Sequence, residues 1–532
     1  MAKRVPKPNS AVMDRPSGQD AVFAFMGARS SYDPRPDTVK RIDTHSAVIF
    51  LVGGFAYKIK RAVHLSYLDF STLEKRFEVC QREVAINRIT APDMYLGVVP
   101  IVRLGDGSLA IGGSGERVEW AVKMRRFCQA GLFDRLASED ALPLELMTPL
   151  AATIADLHGK SRIVRGSDAA QSMTRVVESI TASLALAPPL LEASEVKQLT
   201  RAMQKELRAR SALLDARALR GAVRRCHGDL HLRNIVLIED QPVLFDAIEF
   251  DEAIATVDIF YDLAFLLMDL WHRGLNVHAN ALFNAYLRRV GLREPLASLQ
   301  GLVLLPLFLA ARAGVRAMVT LDRLPFVTGA DRQEAIGELS EFFTLANMFL
   351  NPPPPRLLAV GGLSGTGKST LAAALAPGIG AAPGALVVRS DFERKRLAGV
   401  DETKRLEAGQ YSAAVTGRVY AALARKAKTA LAAGHSVILD AVYAREDQRG
   451  RVEQIAREAK VSFTGLWLEA PGRQLIKRVE ARTGDASDAD AGVVRKQLAY
   501  ETGAVSWRRI DASGNPEKVK ARAVAALSPG QP

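Results

Sequence analysis

The run Gly362-Leu363-Ser364-Gly365-Thr366-Gly367-Lys368-Ser369 constrains this chain more than any other feature. It satisfies G-x-x-x-x-G-K-[ST] at every fixed position, after the apolar run RLLAV and before TLAAALA. A strand, a tight glycine turn and a helix fit that order. Glycines let backbone N–H groups turn inward around phosphate oxygens, and the helix N-terminus adds a favourable dipole. Lys368 can reach β- and γ-phosphates, and the Ser369 hydroxyl can ligand Mg²⁺. Gly362, Gly365, Thr366, Gly367, Lys368, Ser369 and Thr370 form the candidate ATP cradle.

Downstream, short apolar runs (ALVVRSD, HSVILDA, VSFTGLWLEA, SWRRIDA) alternate with helical stretches. That alternation predicts a parallel sheet covered by helices. Asp391 is expected at the end of the strand ALVVRSD, facing the ligand crevice, where it can accept a hydroxyl proton. Its other reading is a cap for the helix FERKRLAGV. Asp440, ending VILDA, is a candidate for ordering Mg²⁺ or else a loop-initiating acid. Arg473, Arg478 and Arg482 lie in PGRQLIKRVEART; Arg478 and Arg482 share a helix face and either close over the nucleotide or form a solvated basic face.

This third of the chain resembles small-molecule kinases of the P-loop superfamily, the gluconate-kinase-like and polynucleotide-kinase-like group. GGLSGTGKST, RSDFERKRLAG, ILDAVY, RTGDASDAD and DASGNP carry the resemblance. It implies a three-layer α/β fold with ATP as donor, Asp391 on the acceptor and the Ser513-Gly514 loop near adenine.

A second signal is Cys226-His-Gly-Asp229-Leu-His-Leu-Arg-Asn234, followed by an apolar run and Asp246 in VLFDAIEFD. Asp229 can orient and deprotonate an acceptor hydroxyl, while Asn234 and Asp246 are hard-oxygen ligands suited to Mg²⁺. This segment resembles the aminoglycoside phosphotransferase and choline-kinase-like fold over about residues 40 to 290. The resemblance implies a bilobal, protein-kinase-like α+β domain. It implies a small-lobe lysine paired with a helix glutamate, and AYKIK offers Lys58, preferred, and Lys60 on the same face. Glu83 in CQREVAINR is the expected partner, and Met124 to Phe127 the hinge for adenine. The metal segment lacks the glycine of a DFG motif, and the Gly-rich loop is reduced to Gly53-Gly54. Asp258 and Asp262 read as structural supports of the catalytic loop. His227 and His231 are expected to support that loop through hydrogen bonds.

Four prolines, Pro352 to Pro355, make a stiff spacer. The expected organisation is an arm over 1–25, a phosphotransferase-like domain over 26–350 with its small lobe to about 127, a linker over 351–355 and a P-loop domain over 356–532. The 532 residues are 48% hydrophobic and 24% charged, which excludes disordered and fibrous classes. Cys80, Cys128 and Cys226 show no metal-ligand spacing and suggest a reducing, cytoplasmic setting. The N-terminal residues lack an apolar signal core. The longest apolar run, Gly301 to Ala311, is short of a membrane span and reads as a buried helix.

The net charge is +13, with 28 Lys+Arg against 18 Asp+Glu from Arg356 onward. Such a field attracts polyanions, but no basic stripe with interleaved aromatics accompanies it, so nucleic acid is not the expected partner. Together these features predict a bifunctional ATP-dependent phosphotransferase acting on small-molecule hydroxyls. The alternatives are one kinase regulated by a second nucleotide-binding module, or a nucleic-acid end kinase.

Overall fold

Strands rich in β-branched and aromatic residues pair in sequence order where the N-terminal pattern alternates. In the computed structural model, Val39–Asp43, Ala47–Val52 and Phe55–Lys60 form a meander, joined by Glu116–Arg125, Tyr95–Arg103 and Leu109–Ile111. Every neighbouring pair in this six-stranded sheet is antiparallel. The structure describes residues 19–527 apart from 45, 66–67, 167, 188–189, 292–294, 403 and 482–485. Two compact units divide it. The first comprises Met1–Glu139, His227–Asp229 and Arg233–Thr256; the second comprises Asp140–Cys226, Leu230–Leu232 and Val257–Pro532. The segment Asn351 to Pro355 lies inside the second unit.

In the first unit both sheet faces are covered. Val48, Phe50, Ile59, Ile101 and Ala121 pack with Val22, Phe23 and Met26 of the helix Gln19–Gly27. That helix occupies part of the stretch read as a loose arm over 1–25. Its apolar residues share one face, and buried Gln19 ties it to the sheet by donating to the Lys60 carbonyl (2.9 Å) and to Glu119 (2.7 Å). On the other side, Cys80 and Val84 of the helix Leu73–Asn87 pack with Tyr95, Trp120, Val122 and Val236. The helix is capped by Thr72, whose hydroxyl accepts from the Lys75 N–H.

The second unit contains helices around the buried pair Arg217–Asp258 (2.7 Å), and a five-stranded parallel sheet. Its strand order is Leu386–Arg389, Val437–Asp440, Arg356–Gly362, Ser462–Glu469, Arg508–Asp511. Leu358 and Val360 pack into a core with Leu371, Leu375, Ile510 and Val519. The alternate residues Leu357 and Ala359 are equally buried. Both faces of the sheet are therefore covered, as a parallel sheet requires. The first strand of this sheet in chain order lies at its centre with later strands on both sides, an arrangement that opens a crevice at the strands' C-terminal ends.

Among the described residues, one helical stretch, Leu296–Phe326, is long and apolar enough to cross a membrane, and 67% of its most apolar window is buried. It runs on through Arg312 because the fold accommodates that charge. The guanidinium lies 3.8 Å from the Tyr261 ring centroid and donates to the Tyr261 carbonyl at 3.1 Å.

Burial also governs His435, whose Nε2 lies 2.9 Å from the Gly384 carbonyl. Desolvation pushes its pKa down to about 4. An unfolded chain protonates this ring near its ordinary value of about 6.5. Unfolding therefore takes up a proton between those values, and stability falls as the pH drops from about 6.5 to about 4. The loss accumulates to about 3 kcal/mol. His435→Gln, which retains a donor, should flatten this part of the pH dependence; urea unfolding at pH 7 and pH 5 measures it.

Candidate phosphotransfer sites

Two groups of side chains match the chemistry read from the sequence. The first lies wholly in the first unit. The strands Ile235–Ile238 and Gln241–Leu244 form a hairpin in which Ile235 opposes Leu244. Its turn residues Glu239 and Asp240 both have positive φ, 49° and 58°, the twist that a two-residue hairpin favours. The register sets Asn234 beside Phe245, whose N–H donates to the Asn234 carbonyl at 3.1 Å, and so brings Asn234 close to Asp246. Asp246 has φ of 59°, an uncommon conformation for a residue other than glycine. Its N–H donates to the Tyr95 hydroxyl at 3.1 Å, and the next N–H, of Ala247, donates to Asn87 Oδ1 at 2.9 Å. The Asn234 amide donates to Asp229 through its carbonyl (2.9 Å) and its Oδ2 (3.0 Å).

Lys58 Nζ lies 2.8 Å from Glu83 and 2.6 Å from Asp246. Lys60 Nζ lies 2.7 Å from the other Glu83 oxygen and also pairs with Glu249. Alternation along the strand sends both lysines to one glutamate, but only Lys58 reaches Asp246, whose side chain is 42% exposed. Burial works to raise the Glu83 carboxyl, yet Lys58 and Lys60 together hold it below its ordinary value. Burial raises Glu249 above its ordinary value, with Lys60 opposing. The Gly53-Gly54 turn lies against the hinge, where Arg126 N–H donates to the Gly54 carbonyl at 2.9 Å. These glycines, with Arg126, Phe127, Cys128 and Gln129, line a cavity of about 290 Å³.

This geometry separates two roles that the sequence leaves open. Lys58→Met should cut turnover at this site about a hundredfold and, because Lys60 still pairs with Glu83 and Asp246 is partly exposed, cost less stability than loss of Lys60. Lys60→Met takes from buried Glu83 its second cation and from buried Glu249 the cation it pairs with, and should cost about 3 kcal/mol of stability. Steady-state kinetics beside thermal melts distinguish the two.

Asp258 and Asp262, read from the sequence as supports of the catalytic loop, lie in the second unit. Asp258 caps the helix Ile259–His272 by accepting from Phe260 N–H at 2.8 Å and takes both prongs of Arg217. Asp262 lies 3.1 Å from His158 Nε2, and His158 Nδ1 lies 2.7 Å from the Tyr286 hydroxyl. Cys226 completes this buried group within ligand reach, although protein partners engage both ring nitrogens. His231 stacks edge-on against Phe265 at 5.2 Å. In the first unit, His227 Nε2 lies 3.0 Å from the Phe245 carbonyl.

The second site occupies the crevice of the parallel sheet. The strand Arg356–Gly362 ends in the glycine turn, and the helix Lys368–Leu375 follows. Gly365 and Gly367 have φ of 84° and 88°, and a Cβ on Gly365 would lie 2.7 Å from the Leu475 carbonyl oxygen. Both φ values favour glycine; at Gly365 the close approach of the Leu475 backbone excludes a side chain as well, whereas nothing lies within 4 Å of a Cβ on Gly367. Thr366 Oγ1 donates to the Leu363 carbonyl at 2.8 Å, fixing the turn, and Lys368 Nζ donates to the same carbonyl at 3.0 Å. Ser369 Oγ donates to Asp440 at 2.6 Å, and Arg389 Nε lies 3.3 Å from that carboxylate. Thr370 follows, exposed, on the helix. The cradle and the hard-oxygen pair Ser369 and Asp440 fit a triphosphate with a divalent ion. Asn234 and Asp246 fit such an ion in the first unit.

Asp391 differs from its expected place. The strand ends at Arg389, and Asp391 stands in the first turn of the helix Ser390–Ala398, where an acidic side chain complements the helix dipole. Burial, then the neighbouring Asp440, push its pKa up, with Arg389 and Lys368 opposing. Arg478 donates to the carbonyls of Ala512 (2.9 Å) and Gly514 (3.1 Å), tying down the loop after the last strand. It also donates to the carbonyl of Gly365 in the cradle at 3.4 Å, so it is not a solvated face. Arg473 is exposed. Arg482 lies outside the described residues, and the helix that carries Arg478 ends at Glu480. Sequence reasoning missed Glu249, three residues beyond Asp246, and Arg389, two before Asp391; only the tertiary pairing with Lys60 and Asp440 marks them.

Two family models match separate stretches of the chain. The model described as "Phosphotransferase enzyme family" matches residues 75–299, and the model described as "AAA domain" matches 357–502. An uncharacterized protein of Mycobacterium tuberculosis (strain ATCC 25618 / H37Rv) is 32% identical over 487 residues, covering 90% of this chain and 93% of the relative. An uncharacterized protein of Mycobacterium bovis matches to the same extent. Among solved structures, a choline/ethanolamine kinase family protein from Mesorhizobium loti is 14% identical, covering 62% of this chain and 99% of that one, with a TM-score of 0.35. A gluconokinase from Sinorhizobium meliloti 1021 is 20% identical, covering 33% and 92%, with a TM-score of 0.24.

Proposed function

The chain belongs to the family of these mycobacterial proteins and is a kinase that fuses an aminoglycoside-phosphotransferase-like domain to a P-loop domain, and from that premise we propose that it is bifunctional, each domain transferring the ATP γ-phosphoryl group to a hydroxyl of a small molecule. The observation that carries the reading is that two constellations with no residue in common each combine a cation, hard-oxygen ligands and a carboxylate for the acceptor.

In the first, Lys58, oriented by Glu83, holds the phosphates. Asp229 aligns the acceptor hydroxyl and takes its proton, steadied by the Asn234 amide. In the second, the N–H groups of 362–369 and Lys368 hold the phosphates, and Asp391 faces the acceptor. Asn234 with Asp246, and Ser369 with Asp440, would hold Mg²⁺, which offsets triphosphate charge. Three free cysteines support a cytoplasmic setting.

The test is product mass after incubation of the full chain with ATP and a metabolite panel, for the parent, Asp229→Asn and Lys368→Ala. Loss of a different phosphorylated product in each variant is the expected result. Loss of one shared product in both would make one module a regulator of the other, and strongly salt-dependent binding of an oligonucleotide would favour an end kinase.

A further inference from the structure

The strand Leu386–Arg389 is the edge of the parallel sheet, and an edge strand exposes N–H and C=O groups that need partners. Its inner side pairs with Val437–Asp440, and the Leu386 N–H donates to the Ser436 carbonyl at 2.9 Å. Alternation turns the Val387 N–H outward. No strand meets it among the described residues; a side chain does. Asn284, on the helix Asn276–Val290 that precedes the proline segment, accepts from Val387 N–H through Oδ1 at 2.7 Å and donates from Nδ2 to the Ala385 carbonyl at 3.1 Å. Its amide thus makes the two hydrogen bonds that a neighbouring strand would make. One turn earlier, Asn280 Nδ2 donates to the carbonyls of Pro383 (3.0 Å) and Ala385 (3.1 Å). Both asparagines are buried.

The same helix face continues to Arg288. Its guanidinium lies 4.7 Å from the Phe392 ring centroid, while that of Arg389 lies 4.6 Å from the same ring. Arg288 also pairs with Glu402 at 3.5 Å. Phe392 adjoins Asp391, and Arg389 reaches Asp440. A helix of the phosphotransferase-like domain is therefore fastened to the strand that carries Arg389 and to the ring of Phe392, the residue next to Asp391.

We propose that Asn284, Asn280 and Arg288 are positioning residues for the acceptor side of the P-loop site, so that this half of the enzyme is completed by a helix from the other. The inference rests on the reading of Asp391 as the acceptor-facing carboxylate.

The experiment uses the full chain carrying Asn284→Ala or Arg288→Ala, with Asp391→Ala and Lys368→Ala beside them. The substrate is whichever panel compound gives the Lys368-dependent product. Both positioning variants should lower kcat/KM for the acceptor about tenfold, leave KM for ATP within twofold, and leave the Asp229-dependent product unchanged. Arg288→Ala removes a stacked side chain without opening the strand edge, so it keeps the test intact if Asn284→Ala melts early. Unchanged acceptor kinetics in Arg288→Ala, or equal losses for ATP and acceptor in both variants, would overturn the inference while Asp391→Ala still abolishes turnover. If Lys368→Ala or Asp391→Ala removes no product, the functional reading itself fails and the inference with it.

Discussion

Lys368→Ala should abolish the product of the P-loop half, lowering kcat/KM about a thousandfold, and leave the Asp229-dependent product within twofold of the parent. A loss of that size corresponds to about 4 kcal/mol of transition-state stabilisation, the scale for one well-placed charge-assisted donor in a sheltered site. Among the described residues, the two nearby arginines already have partners. Arg478 is committed to backbone carbonyls, and Arg389 to Asp440. Lys368 is partly exposed at the start of its helix, so the fold should survive, with an unchanged melting temperature as the control.

Asp229→Asn should remove the other product by a comparable factor. The change preserves size and leaves a carbonyl oxygen that can still accept from Asn234 Nδ2, now 3.0 Å from Asp229 Oδ2. What it removes is the negative charge and basicity needed to take the hydroxyl proton, a contribution of about 10²- to 10⁴-fold. Nucleotide affinity in this half should hardly move, because Lys58, Glu83 and Asp246 are untouched. Nucleotide binding retained with turnover lost separates a chemical role for Asp229 from a structural one.

Both central motifs were legible because their chemistry depends on residues close in sequence. A glycine turn followed by Lys-Ser needs only one strand and one helix, and the Asp229–Asn234 spacing is confined to one short loop. Legibility faded where tertiary register takes over. Pro100 and Gly97 disguise Tyr95–Arg103 as something other than a strand. Yet it pairs with Glu116–Arg125 along nearly its whole length, absorbing irregularities near Tyr95 and Ile101, while its other neighbour begins only opposite Ile101. Asp391 looked like a strand terminus because ALVVRSD is continuous in character; the acids of SDFE mark the helix start more faithfully. Lys58 and Lys60 are equivalent by alternation, and only the hairpin that delivers Asp246 and Glu249 gives them different partners. The asparagine pair on the sheet edge has no local signature, since its meaning depends on which backbone groups an edge strand leaves outward.

The central claim is that one polypeptide holds two separate ATP·Mg²⁺ sites. Isothermal titration calorimetry of the full chain with a non-hydrolysable ATP analogue and Mg²⁺ tests it most directly. Two equivalents per chain are expected, falling to one in Lys368→Ala; a single equivalent in the parent, or none, would contradict the account.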